Sequence, residues 1–469
     1  MRLFILLLFA PFAAFSAPVG SRIPTLPPHP EQDFDLTRGQ IQSQPSPVPT
    51  ADTSRLVRVD IVQLKQNPAL LLDALNAAID AEDAAQVKLL LAVYEETGGQ
   101  DKILIQFARA FLARVAGEGG LAVSHYSDII AERPDLTPVR VHLAMTLLQD
   151  RRLADADKQF DIIRNSPDVP ADIIEMAAER QQWIKRQNAW AFDTGIRYLH
   201  ERNVNNAPKN RIWRNWRLPE PQRAHGYGYD FYAGKTQSLA GHFGWKANAL
   251  LYGKTYWDNH RYDDLNIRLS AGVTWRSGRQ EWAAMPFYEH RRYGNRPYSR
   301  QTGIRLQNDT FLSPNRQFFS ALQYGRKQHN GRPYLDGGAV SASTTLLFRL
   351  SARQYWLVGT DYSRERAADA DEAYRRIGIR TAWGYEWRHG LSASLNLSAA
   401  RRRYDGYDYF QILRRDREYS ATASLWHRDW QWRGLVPKLT AVWSRTQSNH
   451  FMGDYGHKSQ AFFEIGKQF

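Results

Sequence analysis

The sequence predicts an N-terminal tetratricopeptide-type helical repeat domain followed by an outer-membrane antiparallel β-barrel of about 14 strands. Three observations carry this expectation. From Trp190 to Phe469 apolar and polar residues alternate with period two. Between Asn67 and Gln187 the apolar spacing is helical and repeats after 34 residues. The chain starts with the make-up of a signal peptide.

The predicted divisions are a signal peptide over residues 1–16, a Pro-rich periplasmic leader over 17–58, a helical periplasmic domain over 59–188 and a transmembrane barrel over 189–469. Met1-Arg2 precedes an apolar stretch from Leu3, and Ala14-Phe15-Ser16 offers the small residues a signal peptidase reads, so cleavage is expected after Ser16. The leader holds Pro18, Pro24, Pro27, Pro28, Pro30, Pro45, Pro47 and Pro49, and little in it could form a core.

Pro68 suits a helix start, and Leu71, Leu72, Leu75 and Ile79 fall on one helical face. Gly98-Gly99 and Gly117 to Gly120 mark turns. Ala122, Tyr126 and Ile129 recur 34 residues later as Ala156, Phe160 and Ile163, and Ala110 recurs as Ala144. Pro134 recurs as Pro167, one residue early. Small, aromatic and terminal-Pro positions at this period are the tetratricopeptide pattern, in which Ala110, Ala122, Tyr126, Ala144, Ala156 and Phe160 are packing residues. Two clear repeats, a degenerate one before (68–96) and a capping helix after (171–187) make a short array. An ordinary helical bundle is the plain alternative.

In the barrel region Leu265 to Arg276 sets the pattern: Leu265, Ile267, Leu269, Ala271, Val273 and Trp275 on one face, Asn266, Arg268, Ser270, Gly272, Thr274 and Arg276 on the other. That length suits a tilted membrane strand. Ile377, Ile379, Thr381, Trp383, Tyr385 and Trp387 form another outward row. A polar loop runs from Glu201 to His225. An aromatic content of 13%, with 15 Trp and 23 Tyr, suits the girdles of a membrane barrel, although an aromatic-rich soluble sandwich has the same composition. At the C-terminus Phe463, Ile465, Gly466 and Phe469 are expected to form the assembly signal that barrel-insertion machinery reads, with Lys467 interrupting the apolar row.

The formal net charge of +14 comes from Arg scattered over strands and loops, which points to an anionic outer-leaflet glycolipid as partner and away from nucleic acid. The runs Arg375-Arg376, Arg401-Arg402-Arg403 and Arg414-Arg415 fall at predicted strand ends, as rim charges near lipid phosphates or, alternatively, as lumen groups. With no Cys, the chain can be neither disulfide-stapled nor itself acylated as a lipoprotein. No catalytic or phosphate-binding motif occurs. Glu289 and His290 would point to opposite faces of a strand, so they do not make an acid–base pair. No enzyme activity, metal or cofactor is expected.

The chain resembles the surface lipoprotein assembly modulator (or modifier) family, Slam, of neisserial type, from about Val59 to Phe469. The resemblance rests on Ser124-His125-Tyr126, Asn206 to Lys209, Glu289 to Asn295, Ala352 to Trp356, Glu365-Arg366, Ser424 to Arg428 and Phe469. It implies an outer-membrane barrel with a periplasmic repeat domain that captures client surface lipoproteins and delivers them to the cell surface. The route is expected either through the lumen or at a seam between Phe192–Tyr198 and Phe463–Phe469. A polysaccharide export porin with tetratricopeptide repeats and a passive porin are the alternative readings.

Overall fold

The computed structural model describes residues 61–97, 101–167, 169–427, 429, 430, 432 and 435–468. The expected signal peptide and leader, the Gly98-Gly99 turn and Phe469 lie outside them. Eight helices come first among these residues: α1 (Ile61–Gln66), α2 (Pro68–Asp80), α3 (Ala84–Glu96), α4 (Lys102–Ala116), α5 (Gly119–Glu132), α6 (Thr137–Gln149), α7 (Leu153–Asn165) and α8 (Ala171–Gln187). Local chemistry sets their ends. The side chains of Asn67, Asp83 and Asp101 accept backbone N–H bonds at the starts of α2, α3 and α4. Gly117 closes α4 at φ +81°, a left-handed position that suits glycine.

The helices pair as α2/α3, α4/α5 and α6/α7, with α8 against α7. Ala110, Ala122, Tyr126, Ala144, Ala156 and Phe160 all have zero exposure and share one apolar cluster with Ile129 and Ile163. Four alanines let the helix axes approach, and the two rings fill the space between pairs. Burying Phe160 alone is worth about 2–3 kcal/mol. Helix α8 offers Ala177 and Ile184 to this core. Its Gln181 accepts from Arg164 of α7 at 2.8 Å and donates to the Asp157 carbonyl at 3.2 Å.

The strands are β1 (Ala191–Glu201), β2 (Ile212–Trp213), β3 (Trp216–Arg217), β4 (Ala224–Ser238), β5 (Phe243–Tyr256), β6 (Asp264–Arg276), β7 (Gln280–Tyr293), β8 (Arg296–Ser313), β9 (Arg316–His329), β10 (Gly337–Ser351), β11 (Gln354–Glu365), β12 (Tyr374–Glu386), β13 (Leu391–Tyr407), β14 (Leu413–His427), β15 (Leu435–Ser448) and β16 (Gly456–Gln468). β2 and β3 form a small hairpin inside the polar loop between β1 and β4. The other fourteen close into one antiparallel barrel, each paired with its sequence neighbour and β1 meeting β16. Side-chain parity follows the sequence. Leu269 and Val273 are exposed on the outside while Asn266, Arg268, Thr274 and Arg276 are buried inside. Ile377 and Ile379 stand outward at 59% and 61% exposure, which is stable only where lipid covers them. The chain is an outer-membrane barrel, and its helical domain sits on the side of the short turns Leu239–His242 and Ser277–Arg279, the periplasmic side. The β7–β8 turn at the other end is a two-residue turn with Gly294 at φ +55° and Asn295 at φ +60°, the mirror-type geometry that matches strand twist.

Candidate functional site

Three features could serve passage across the membrane: the lumen wall, the seam, and the junction with the helical domain. The inward rows carry charge, and the charges pair. Arg197 meets Asp230 at 3.1 Å, Arg268 meets Glu289 at 3.4 Å, Arg291 meets Asp264 at 2.7 Å and Lys438 meets Glu464 at 3.1 Å. Near the extracellular end Lys254 and Tyr256 both bond Glu201, and Arg402 and Arg376 both bond Glu418. Arg376 also pairs with Asp361. Arg268 donates to Gln323 of β9 at 2.7 Å, tying together strands that are not neighbours. Removing one partner of such a pair strands a buried charge at about 3–5 kcal/mol, so the wall is rigid and locally neutral.

The basic runs divide by parity. Arg376, Arg402 and Arg414 point into the lumen with acidic partners, while Arg375, Arg401, Arg403 and Arg415 are exposed on the outer face. The rim and lumen readings left open by the sequence each describe part of every run, because parity sends neighbouring arginines to opposite faces. Glu289 is inward with Arg268, and His290 takes the opposite parity.

The seam is the weakest part of the ladder. Among the described residues β1 and β16 pair over five positions, from Asp193↔Gln468 to Arg197↔Glu464, whereas β1 and β4 pair over eleven, from Ala191↔Gly234 to Glu201↔Ala224. On β16 all five lie in the periplasmic half of the strand. Above them the 202–223 loop bridges the gap. Lys458 of β16 donates to the Asn203 carbonyl at 3.0 Å and to Asn206 at 2.5 Å, and the Lys209 N–H donates to the Asp454 carbonyl at 2.8 Å. Trp213, on β2, stacks on Phe451 at 4.0 Å and meets Phe410 edge-on at 5.1 Å. The loop therefore bridges the extracellular end of the seam, where β1 and β16 no longer pair.

At the periplasmic end the α6–α7 turn docks on the barrel. Asp155 accepts from the Gly241 N–H at 2.9 Å, Asn188 accepts from the Ser238 N–H at 3.1 Å, and His242 lies 3.4 Å from Asp150. Burial raises the Asp150 carboxyl above its usual range, with His242 and Arg152 opposing. Arg151, at φ +60°, projects its guanidinium over the Phe311 ring and toward Glu281 at 3.7 Å. Glu281 also faces Arg276 and Lys246 of the lumen wall.

Residues 190–469 match the family profile described as surface lipoprotein assembly modifier, and residues 57–160 match the profile of that family's N-terminal TPR repeats. The chain belongs to the surface lipoprotein assembly modifier family. It is 32% identical to the surface lipoprotein assembly modifier of Pasteurella multocida (strain Pm70), over 95% of this chain and 93% of that protein. Surface lipoprotein assembly modifier 1 of Neisseria meningitidis serogroup B is 32% identical over 92% of this chain and 89% of its own length. The hemophilin secretion modulator of Acinetobacter baumannii is 24% identical over 82% and 83%. In this modifier-family chain the six repeat residues are gathered in the helical core, and Phe463 and Ile465 face outward on β16 at 71% and 46% exposure. Gly466 pairs with Gly195 at the seam. The Arg151 junction and the loop that bridges the seam are not legible in the sequence. A single Arg in a helical turn carries no periodic signal, and loop contacts join residues about 250 positions apart.

Proposed function

We propose that this protein is a translocator that takes lipid-anchored client proteins in the periplasm and delivers them to the cell surface. The observation that carries the reading is a helical array fixed to the periplasmic rim of a barrel whose first and last strands, 11 and 13 residues long, pair over five positions among the described residues. An acyl chain drawn through a lumen lined with ion pairs would lose about 0.8 kcal/mol per CH₂ group. A seam lets the polypeptide use the polar interior while its lipid stays in the bilayer. Membership of the modifier family supports a lipoprotein client over a polysaccharide conduit or passive porin. Enzyme chemistry has no part in this reading. The proposed partners are client lipoproteins, the barrel-insertion machinery, contacting the outward row of Phe463 and Ile465, and an anionic outer-leaflet glycolipid.

The test is surface labelling of a co-expressed candidate lipoprotein on intact cells of a heterologous Gram-negative host, with and without this protein. A second arm uses Ile196→Cys with Ile465→Cys, directly paired positions in a chain with no other cysteine. Labelling should depend on the protein, disappear when the pair is oxidised and return on reduction. Labelling that persists through the oxidised lock would refute the seam. Labelling that never depends on the protein would refute the export reading.

A further inference from the structure

The outer surface of β12–β14 carries a cluster of arginines that register, not sequence adjacency, brings together. Arg375 of β12 pairs directly with Arg403 of β13, and Arg403 with Arg415 of β14. One row nearer the bilayer centre, Arg401 pairs with Arg417. All five are exposed. Arg364 of β11, opposite Arg375, shows what a protein-satisfied member looks like, since it is held by Asp405 through contacts of 2.8 and 2.6 Å. None of the five has such a carboxylate among the described residues.

Strands lie about 4.8 Å apart, so three guanidinium stems stand in a row roughly 10 Å long with two more beneath. Like charges directly opposite one another destabilise a sheet. This arrangement is therefore costly unless an anion offsets it. Its depth says which anion. Ile377 pairs with Arg401, and the rows below turn mostly apolar or aromatic: Ile379, Ala399 and Tyr419, with Arg445 at the β15 edge, then Thr381, Leu397, Ala421 and Trp443. The cluster thus sits where acyl chains give way to headgroups at the extracellular end. Arg300 and Arg326, also exposed on β8 and β9, each pair with no other arginine among the described residues, and the wall around β1 differs further. The outward residues at the same end of β1, β4 and β16 are Tyr198, His200, Tyr227, His457 and Ser459.

We infer that Arg375, Arg401, Arg403, Arg415 and Arg417 form a binding site for the phosphate groups of an outer-leaflet glycolipid, whose acyl chains lie against the Ile379–Leu397–Ala421 face. Guanidinium forks suit phosphate oxygens, and several forks on neighbouring strands hold a multiply phosphorylated headgroup better than a single phosphate. The site gives a location to the glycolipid contact proposed above. It stands apart from export, because lipid binding is read with no client present.

The test is native mass spectrometry of the full chain in detergent, titrated with bisphosphorylated lipid A, its dephosphorylated form, or phosphatidylglycerol. The wild type should prefer bisphosphorylated lipid A over the dephosphorylated form by about tenfold, with phosphatidylglycerol between them. Arg375→Gln/Arg403→Gln/Arg415→Gln should bring that preference to within about twofold. Arg300→Gln/Arg326→Gln, exposed on β8 and β9, should leave it unchanged. If the triple variant does not fold, Arg403→Gln alone should still lower the preference about threefold. Equal binding of the two lipid A forms by the wild type, an unchanged preference in the Arg403-containing variant, or equal loss in the β8/β9 variant would each overturn the site.

Discussion

Arg151→Asn tests whether the helical domain is held on the barrel by the α6–α7 turn. Asn tolerates the left-handed backbone that Arg151 adopts at φ +60°, so the change removes the guanidinium without straining the turn. The guanidinium stacks 5.2 Å over Phe311, a partly desolvated cation–π contact of about 1 kcal/mol. It also lies 3.7 Å from Glu281, with the two side chains 17% and 13% exposed. Glu281 keeps Arg276 at 3.2 Å and Lys246 at 3.8 Å. Loss of Arg151 therefore does not orphan the carboxylate, and its cost is set at about 1 kcal/mol, well below the 3–5 kcal/mol of a stranded charge. The sum, about 2 kcal/mol, is roughly a 30-fold shift toward the undocked state. The readout is hydrogen exchange at the Gly241 amide, which donates across the junction to Asp155. Its protection should fall about 30-fold while the barrel amides keep theirs. Protection at Gly241 within twofold of wild type would refute the latch. A loss spread over the whole barrel would show that Arg151 serves barrel stability instead.

Phe160→Ala should destabilise the helical domain by about 3–5 kcal/mol, because a fully buried ring between repeats leaves a cavity. Chemical denaturation followed by circular dichroism measures it, and a cost under 1 kcal/mol would contradict the packing role. Burial pushes the Tyr126 phenol up to about 12, with Arg114 partly opposing. A raised folded-state value contributes stability that is complete below pH 10 and lost as pH rises to about 12, roughly 3 kcal/mol in all. Tyr126→Phe should flatten that alkaline loss, and an identical pH profile in the variant would count against it. Trp213→Ala removes the ring packed between Phe410 and Phe451, so limited proteolysis should cut the 202–223 loop faster, by about tenfold. Unchanged cleavage would mean that backbone bonds alone hold the loop. Phe463→Ser/Ile465→Ser touches side chains that face outward, so it should slow membrane insertion and leave inserted barrels intact. Insertion at the wild-type rate would remove these residues from the assembly signal.

Much of the fold was legible because its two periodicities are local. Alternate residues of a strand must face opposite sides, so Leu265–Arg276 and the Ile377 row declared their lipid and lumen faces directly. The 34-residue spacing of Ala122/Tyr126 and Ala156/Phe160 likewise follows from helix pairs that bury a face only by stacking. The same parity already separates Arg375 from Arg376 and Arg402 from its neighbours. Only the structure shows that Arg376 and Arg402 have carboxylates waiting on other strands, and that Arg414 pairs with Asp416 on its own. Sequence by itself determined a helical repeat array, a barrel of about fourteen strands and the alternation of faces along them. Tertiary structure decided the short β1–β16 pairing, the loop that bridges it, the seating of Arg151 beside Glu281 and the alignment of Arg375, Arg403 and Arg415. Register between strands depends on turn lengths, strand tilt and barrel closure together, and no single segment of the chain contains that information.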